Sequence, residues 1–174
     1  MKLICCLLAL AFTASLPEST VQSRRAVTAF LGTWVLEVDT VPRPVPGRSG
    51  RSVGLNGGAF GPQFTLSQDG PELVLTRMLG ERKINSAYNI DGAPSRNQEL
   101  SSVPPTVSVL KFDPKAVESF SIVTRFAEGE TGTLEFLFRL SGELLAIEAI
   151  LSSDDPAKTT RNTSNYRRQR VLAR

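Results

Sequence analysis

The feature that most restricts the fold of this chain is a repeated two-residue rhythm. Nine short runs alternate apolar with polar residues, or carry dense β-branched and aromatic side chains, and turn residues bound them. The first is "TWVLEVD" (residues 33–39), which puts Trp34, Leu36 and Val38 on one face. "FTLSQ" (64–68) and "ELVLTRML" (72–79) flank "QDGP", a hairpin signal. "INSAYNI" (84–90) places Ile84, Ser86, Tyr88 and Ile90 on one side and stops at "DGAP". "TVSVLKF" (106–112), "ESFSIVTRF" (118–126), "TLEFLFRL" (133–140), "LLAIEAILS" (144–152) and "RNTSNYRRQRVL" (161–172) complete the series. No long helical period interrupts it. This spacing predicts an all-β antiparallel meander. Closing that sheet on itself removes the edges so many strands would otherwise expose. The expected fold is an up-and-down antiparallel β-barrel of eight to nine strands, with a sandwich as the alternative. A barrel of about eight strands has an interior just wide enough for side chains or one small ligand.

One segment breaks the rhythm. Residues 41–63, "VPRPVPGRSGRSVGLNGGAFGPQ", hold prolines and glycines that forbid a regular helix or a central strand. A connection longer than about 15 residues is characteristic of a functional lid or an irregular surface stretch. Two readings stand: a surface loop, or a flap over a barrel mouth with Leu55 and Phe60 as its apolar contacts.

Residues 1–23, "MKLICCLLALAFTASLPESTVQS", have the layout of a secretory signal peptide. Lys2 opens it and an apolar run of about ten residues follows. That run is well short of the roughly 20 residues of a membrane span. Small residues suited to cleavage end at Ser15 and again at Ser23, and both cuts stay open. A buried N-terminal helix is the alternative, but Pro17 breaks it. Both cysteines, Cys5 and Cys6, fall in this leader. Residues 24–174 are therefore expected to form a single cysteine-free domain, secreted or periplasmic, without disulfides or thiolate chemistry.

The chain contains no histidine. A Ser-His-Asp triad and His-ligated haem or zinc are thereby excluded, leaving carboxylates, Tyr or Lys for any acid–base chemistry. Glu135 and Glu148, on adjacent predicted strands, are the one candidate pair. Their plainer reading is as solvent-facing charges opposite Arg139. No cofactor or metal site is expected. The net charge is +3 and the one basic cluster, "NYRRQR", reads as the solvated face of a strand, so no nucleic-acid partner is expected.

The stretch "FLGTW" carries a resemblance. A Gly-x-Trp at the head of the first strand, Gly32-Thr33-Trp34, resembles the opening signature of lipocalins and the related fatty-acid-binding proteins. The resemblance implies that Trp34 plugs one barrel end and that a basic side chain from late in the chain packs over its ring. That partner is one of Arg167, Arg168 and Arg170; Arg168 is favoured because it follows Tyr166 by two and shares its face. "AYNIDGAPSRN" (87–97), "RLSGELLAIEA" (139–149) and "TTRNTSNYRRQ" (159–169) further resemble small secreted bacterial lipocalin-like proteins of the calycin superfamily. What this implies is a lipocalin-like barrel rather than an activity. The chain departs from fatty-acid-binding proteins in two places. Residues 41–63 cannot form their two inserted helices, and Ser164 replaces the arginine of their Arg-x-Tyr element before Tyr166.

Three functions remain. The first is a binding module for a small apolar or amphipathic ligand. Phe120, Ile122, Phe136 and Phe138 would line it, and Tyr88, Arg77, Arg125 and Tyr166 would supply polar groups. Plain core packing is the alternative for each apolar stripe. The second is a filled barrel that meets other proteins through an outer apolar patch at Leu137, Ile150 and Val171. The third is a cofactor-free enzyme. In the element from Tyr88 to Asn97, Asp91-Gly92 is read as a turn, with Ser95 and Asn97 bonding the loop that follows. Its alternative places Arg96 and Asn97 at the barrel mouth.

Overall fold

A computed structural model describes residues 26–37, 58–98, 105–113, 116, 118–125, 132–152 and 159–170. Residues 1–23, on which the expected signal peptide and its two candidate cuts fall, and Val38, Leu55 and Val171 lie outside the described residues.

Among the described residues, ten strands form a single antiparallel sheet. They are β1 (Gly32–Leu36), β2 (Gln63–Asp69), β3 (Glu72–Leu79), β4 (Arg82–Asn89), β5 (Ser95–Asn97), β6 (Thr106–Phe112), β7 (Ser119–Arg125), β8 (Thr133–Ser141), β9 (Leu144–Ser152) and β10 (Thr160–Arg168). Their order is β4-β3-β2-β1-β10-β9-β8-β7-β6-β5. Two meanders are thus joined where the first and last strands pair, with Trp34 opposite Arg168 and Leu36 opposite Tyr166. The nine runs read from the alternation correspond to nine of these strands. The tenth, β5, is only three residues long, too short to show a period, and it belongs to the segment read as a turn.

The sheet curls until β4 and β5, its two ends, meet. No backbone ladder joins them; side chains do. The Asn97 carboxamide docks on the Ala87 peptide as a strand would. Its Oδ1 accepts the Ala87 N–H at 2.8 Å and its Nδ2 donates to the Ala87 carbonyl at 2.9 Å. Ser95 Oγ accepts the Asn89 N–H at 2.8 Å. Asp91 Oδ1 takes the Ala93 N–H at 2.9 Å, which holds the intervening turn. Ser95 and Asn97 therefore serve the preceding strand, not the following loop as the sequence suggested. A buried edge cannot leave its N–H and C=O groups unpaired, and these two side chains satisfy that demand where the ladder stops.

One end of the barrel is stoppered. Residues 26–28 form a helical turn that packs Val27 and Phe30, both fully buried, under the first strand. The Trp34 indole is likewise fully buried, and its Nε1 donates to the Phe30 carbonyl at 2.9 Å. The Arg168 guanidinium lies over the ring, 4.6 Å from its centroid. Its Nη1 donates to the Leu31 carbonyl at 2.9 Å and its Nη2 to that of Ala29. These carbonyls close the helical turn and have few partners along the chain, so a cation that satisfies them also stacks on the indole. Gly32 connects the turn to β1 at a φ of 134°, which a side chain at this position would strain.

Two substitutions test the stopper and the β4–β5 junction. Trp34→Ala should cost about 3–5 kcal/mol in chemical denaturation, the usual range for a large buried aromatic. The native tryptophan emission should be that of a buried ring, shifting to a solvated spectrum only on unfolding. Asn97→Ala should cost about 1–3 kcal/mol by leaving the Ala87 peptide without partners. Hydrogen exchange at Ala87 should accelerate more than exchange at β9.

Candidate functional site

Alternation sets which side chains enter the barrel, and register sets their height. The β2–β3, β4–β5, β6–β7 and β8–β9 connections lie at the stoppered end with the start of β1. The β3–β4, β5–β6, β7–β8 and β9–β10 connections lie at the other.

The lower interior is a dry aromatic cluster. Phe120 and Phe138 stack at 4.3 Å with an interplanar angle of 12°, and Phe30 meets Phe120 edge-on at 4.7 Å. Phe64 and Tyr166 meet edge-on at 4.9 Å. Leu73, Ile122, Leu145 and Ile147 fill the space around them, each fully buried. This packing belongs to the hydrophobic core cluster of the described residues.

Above this cluster the wall changes. Arg77, Thr124, Leu134, Phe136, Leu151 and Asn162 all occupy inward positions by register yet keep partial exposure. Ser108 and Thr124 share a hydrogen bond between their hydroxyls at 2.9 Å. Asn162 Oδ1 is buried and has no hydrogen-bond partner among the described residues. An orphan buried acceptor is uncommon in folded proteins, and here it belongs to an inward side chain beside the cup. At this upper level the inward side chains thus keep contact with solvent, and among them are a cation, a hydroxyl and an unmatched carbonyl.

The residues singled out from sequence divide between these levels. Phe120, Ile122 and Phe138 lie in the sealed cluster, as does Tyr88, which sits opposite Leu73 and is 7% exposed. Phe136 and Arg77 reach the upper level, Arg77 between Phe64 and Ile84 in register. Tyr166 is fully buried between the two levels. Gly32, Trp34 and Arg168 form the stopper. Arg125 has to be corrected: it is exposed on the outer face, one residue out of phase with inward Thr124, and pairs with Val107 and Thr133. Arg96 is also exposed. Phe60 is corrected in depth. It lies inside the barrel, 5% exposed, against Phe64, Phe136 and Phe138, instead of covering the mouth.

Sequence reasoning overlooked Ser164, Asn162 and the Val27/Phe30 turn. Ser164 and Asn162 were available from the same alternation that placed Tyr166 inward. The turn is too short to announce itself by periodicity.

Tyr166 Oη accepts the Phe60 N–H and donates to the Gly61 carbonyl, both at 3.1 Å. Burial pushes the Tyr166 phenol up to about 12, opposed by the Phe60 and Ala59 backbone N–H groups and by the Arg77 charge. The phenol therefore stays neutral and able to donate.

The outer wall offers less. A shallow groove of about 690 Å³ is lined by Asp113, Glu118, Ser119, Leu137 and Arg139, among others. Glu148 is held outside the barrel by Arg139 at 3.4 Å and Arg161 at 3.0 Å, so it is a surface ion-pair member. Ile150, expected in an exposed patch, is buried, while Leu137 is half-buried. Among the described residues no three His, Cys, Asp or Glu side chains gather as a metal cluster, and no helix is long and apolar enough to cross a membrane.

The class this geometry defines is an all-β, nearly closed antiparallel barrel of ten strands among the described residues, stoppered at one end by Trp34. No protein-family model matches the sequence, and no curated protein matches it. Among solved structures, an asparagine-to-alanine mutant of the fluorescent protein UnaG is similar to it at 16% identity and a TM-score of 0.49. That match spans 83% of this chain and 99% of the other.

A pH titration tests the Tyr166 environment. The unfolded phenol ionises near 10.0 while the folded one holds its proton to about 12. Stability should be level below the lower value and fall as pH rises between the two, by about 1.4 kcal/mol per pH unit. Tyr166→Phe should remove that slope, as read by denaturation midpoints across the alkaline range. An unchanged slope would place the phenol in water.

Proposed function

We propose that the chain is exported and that its barrel is a binding cup for a small apolar or amphipathic molecule in a secreted or periplasmic setting. The observation that carries this reading is the contrast between the two levels of the interior. The lower level is sealed, whereas inward side chains of the upper level keep contact with solvent. Sites for small molecules are concave and mostly apolar with a few placed polar groups, and Leu134, Phe136 and Leu151 beside Arg77, Thr124 and Asn162 have that composition. An apolar body would lie on the first three. An anionic or donor-bearing end would face Arg77 or the unmatched Asn162 Oδ1. Support for export comes from residues 1–23 and from a remainder without cysteine. The resemblance to small secreted bacterial lipocalin-like proteins belongs to the same reading.

The second reading, a filled barrel acting through its outer face, draws on Phe60, which takes up interior space that a ligand would otherwise use. Nucleic acid forms no part of either. In the basic cluster Arg167 pairs with Glu37 at 2.6 Å and Arg170 lies 3.8 Å from Glu143.

Native mass spectrometry of protein purified from its source should show a bound small molecule. Anilinonaphthalene sulfonate, an apolar anion, should bind saturably and with a blue shift. Arg77→Gln should weaken that dye by about tenfold, the scale of one charge-assisted contact. Empty preparations together with a linear, non-saturating dye response would put the filled barrel first.

A further inference from the structure

The chain places part of itself inside its own cup. Residues 58–61, just before β2, run along the inner wall of β10 and are held there by two of its inward side chains. Ser164 Oγ accepts the Ala59 N–H at 3.1 Å, and Tyr166 Oη accepts the Phe60 N–H at 3.1 Å while donating to the Gly61 carbonyl. These contacts bridge more than a hundred residues of sequence, so they are a tertiary latch and not a local turn. Phe60 then extends over the aromatic cluster, 4.6 Å from Phe136 and 5.7 Å from Phe138, the latter nearly parallel at 16°. It touches rings of the sealed level, Phe64 and Phe138, and one ring of the open level, Phe136.

Gly58 shows how close the approach is. A Cβ built there would stand 2.3 Å from Tyr166 Oη and 2.7 Å from Leu36 Cδ1, and its φ of 83° is itself unfavourable for a side chain. The backbone passes between the Tyr166 hydroxyl and the Leu36 side chain only because the residue is glycine. The latch also uses the buried hydroxyls of Ser164 and Tyr166, the polar groups that a deeper ligand would need. Tyr166, considered from sequence as a ligand contact, is occupied by the chain itself.

We infer that Phe60, latched by Ser164 and Tyr166, is the floor of the binding cup and sets the greatest length of ligand the barrel accepts. The inference rests on the binding reading and adds a specificity determinant to it. An apolar chain entering from the end opposite the stopper gains affinity with each methylene until its tip meets the Phe60 ring. Further methylenes remain in solvent.

The test uses n-alkyl sulfonates of increasing chain length, kept below their micelle concentrations, competing with anilinonaphthalene sulfonate on the full mature protein. Affinity should rise roughly fourfold per methylene, the fold-change equivalent to about 0.8 kcal/mol per buried CH₂, and then reach a plateau. In Phe60→Ala the plateau should move to chains several carbons longer. Tyr166→Phe keeps the core ring but removes the latch hydroxyl. It should also admit longer chains, which provides a second readout should the alanine variant fold poorly. If the wild type shows a plateau and both variants share it, the floor lies elsewhere and this inference fails while the binding reading stands. If no sulfonate displaces the dye from the wild type, the binding reading fails and takes the floor with it.

Discussion

The stopper formed by Trp34 and Arg168 is the constraint on which the rest of the barrel depends. It does three things at one place. It fills one end with the largest side chain, donates hydrogen bonds to carbonyls at the end of the first helical turn, and brings the first strand beside the last. The last of these matters most for the topology. Strands β1 and β10 are separated by nearly the whole chain, and pairing them is what turns two meanders into one curved sheet. Arg168, on the last strand, grips the turn before the first strand as well as the Trp34 ring, and so holds this pairing in register.

From that end upward the interior is graded. Aromatic rings dominate near the stopper, hydroxyl and amide side chains appear along β6, β7 and β10, and Arg77 stands on β3. The gradient has a simple physical origin. Inward positions far from water are apolar or, like Ser108 and Ser164, hydrogen-bonded, whereas inward positions that keep contact with solvent can be polar at little cost. Tyr166 sits at the boundary. Its ring belongs to the cluster and its hydroxyl is matched on both its donor and acceptor sides by the Phe60–Gly61 backbone.

Much of the frame was legible in the sequence because a two-residue period is a direct record of one buried face. Ile84, Ser86, Tyr88 and Ile90 were placed together by alternation and are all buried together. The fold class followed from strand spacing and turn residues. The site was legible only in part. Alternation shows that two faces differ but does not fix the phase where both are apolar or both polar, which is how Arg125 was taken for an interior residue. Three-residue β5 carries no period at all, and its Ser and Asn were read as loop residues because their role depends on a strand that precedes them. The path of residues 58–61 depends on contacts with Ser164 and Tyr166, more than a hundred residues away, and nothing local in "GAFG" records it.

The junction of β4 and β5 has a consequence for how this molecule can fail. A tube sewn along one line by a carboxamide and a hydroxyl can be unzipped there while every ladder elsewhere stays intact. Once parted, the two margins offer free peptide groups, and the margin of another copy satisfies them as well as the original does. Any strand exchange between molecules would start most readily at this stitch, where no backbone ladder has to be broken.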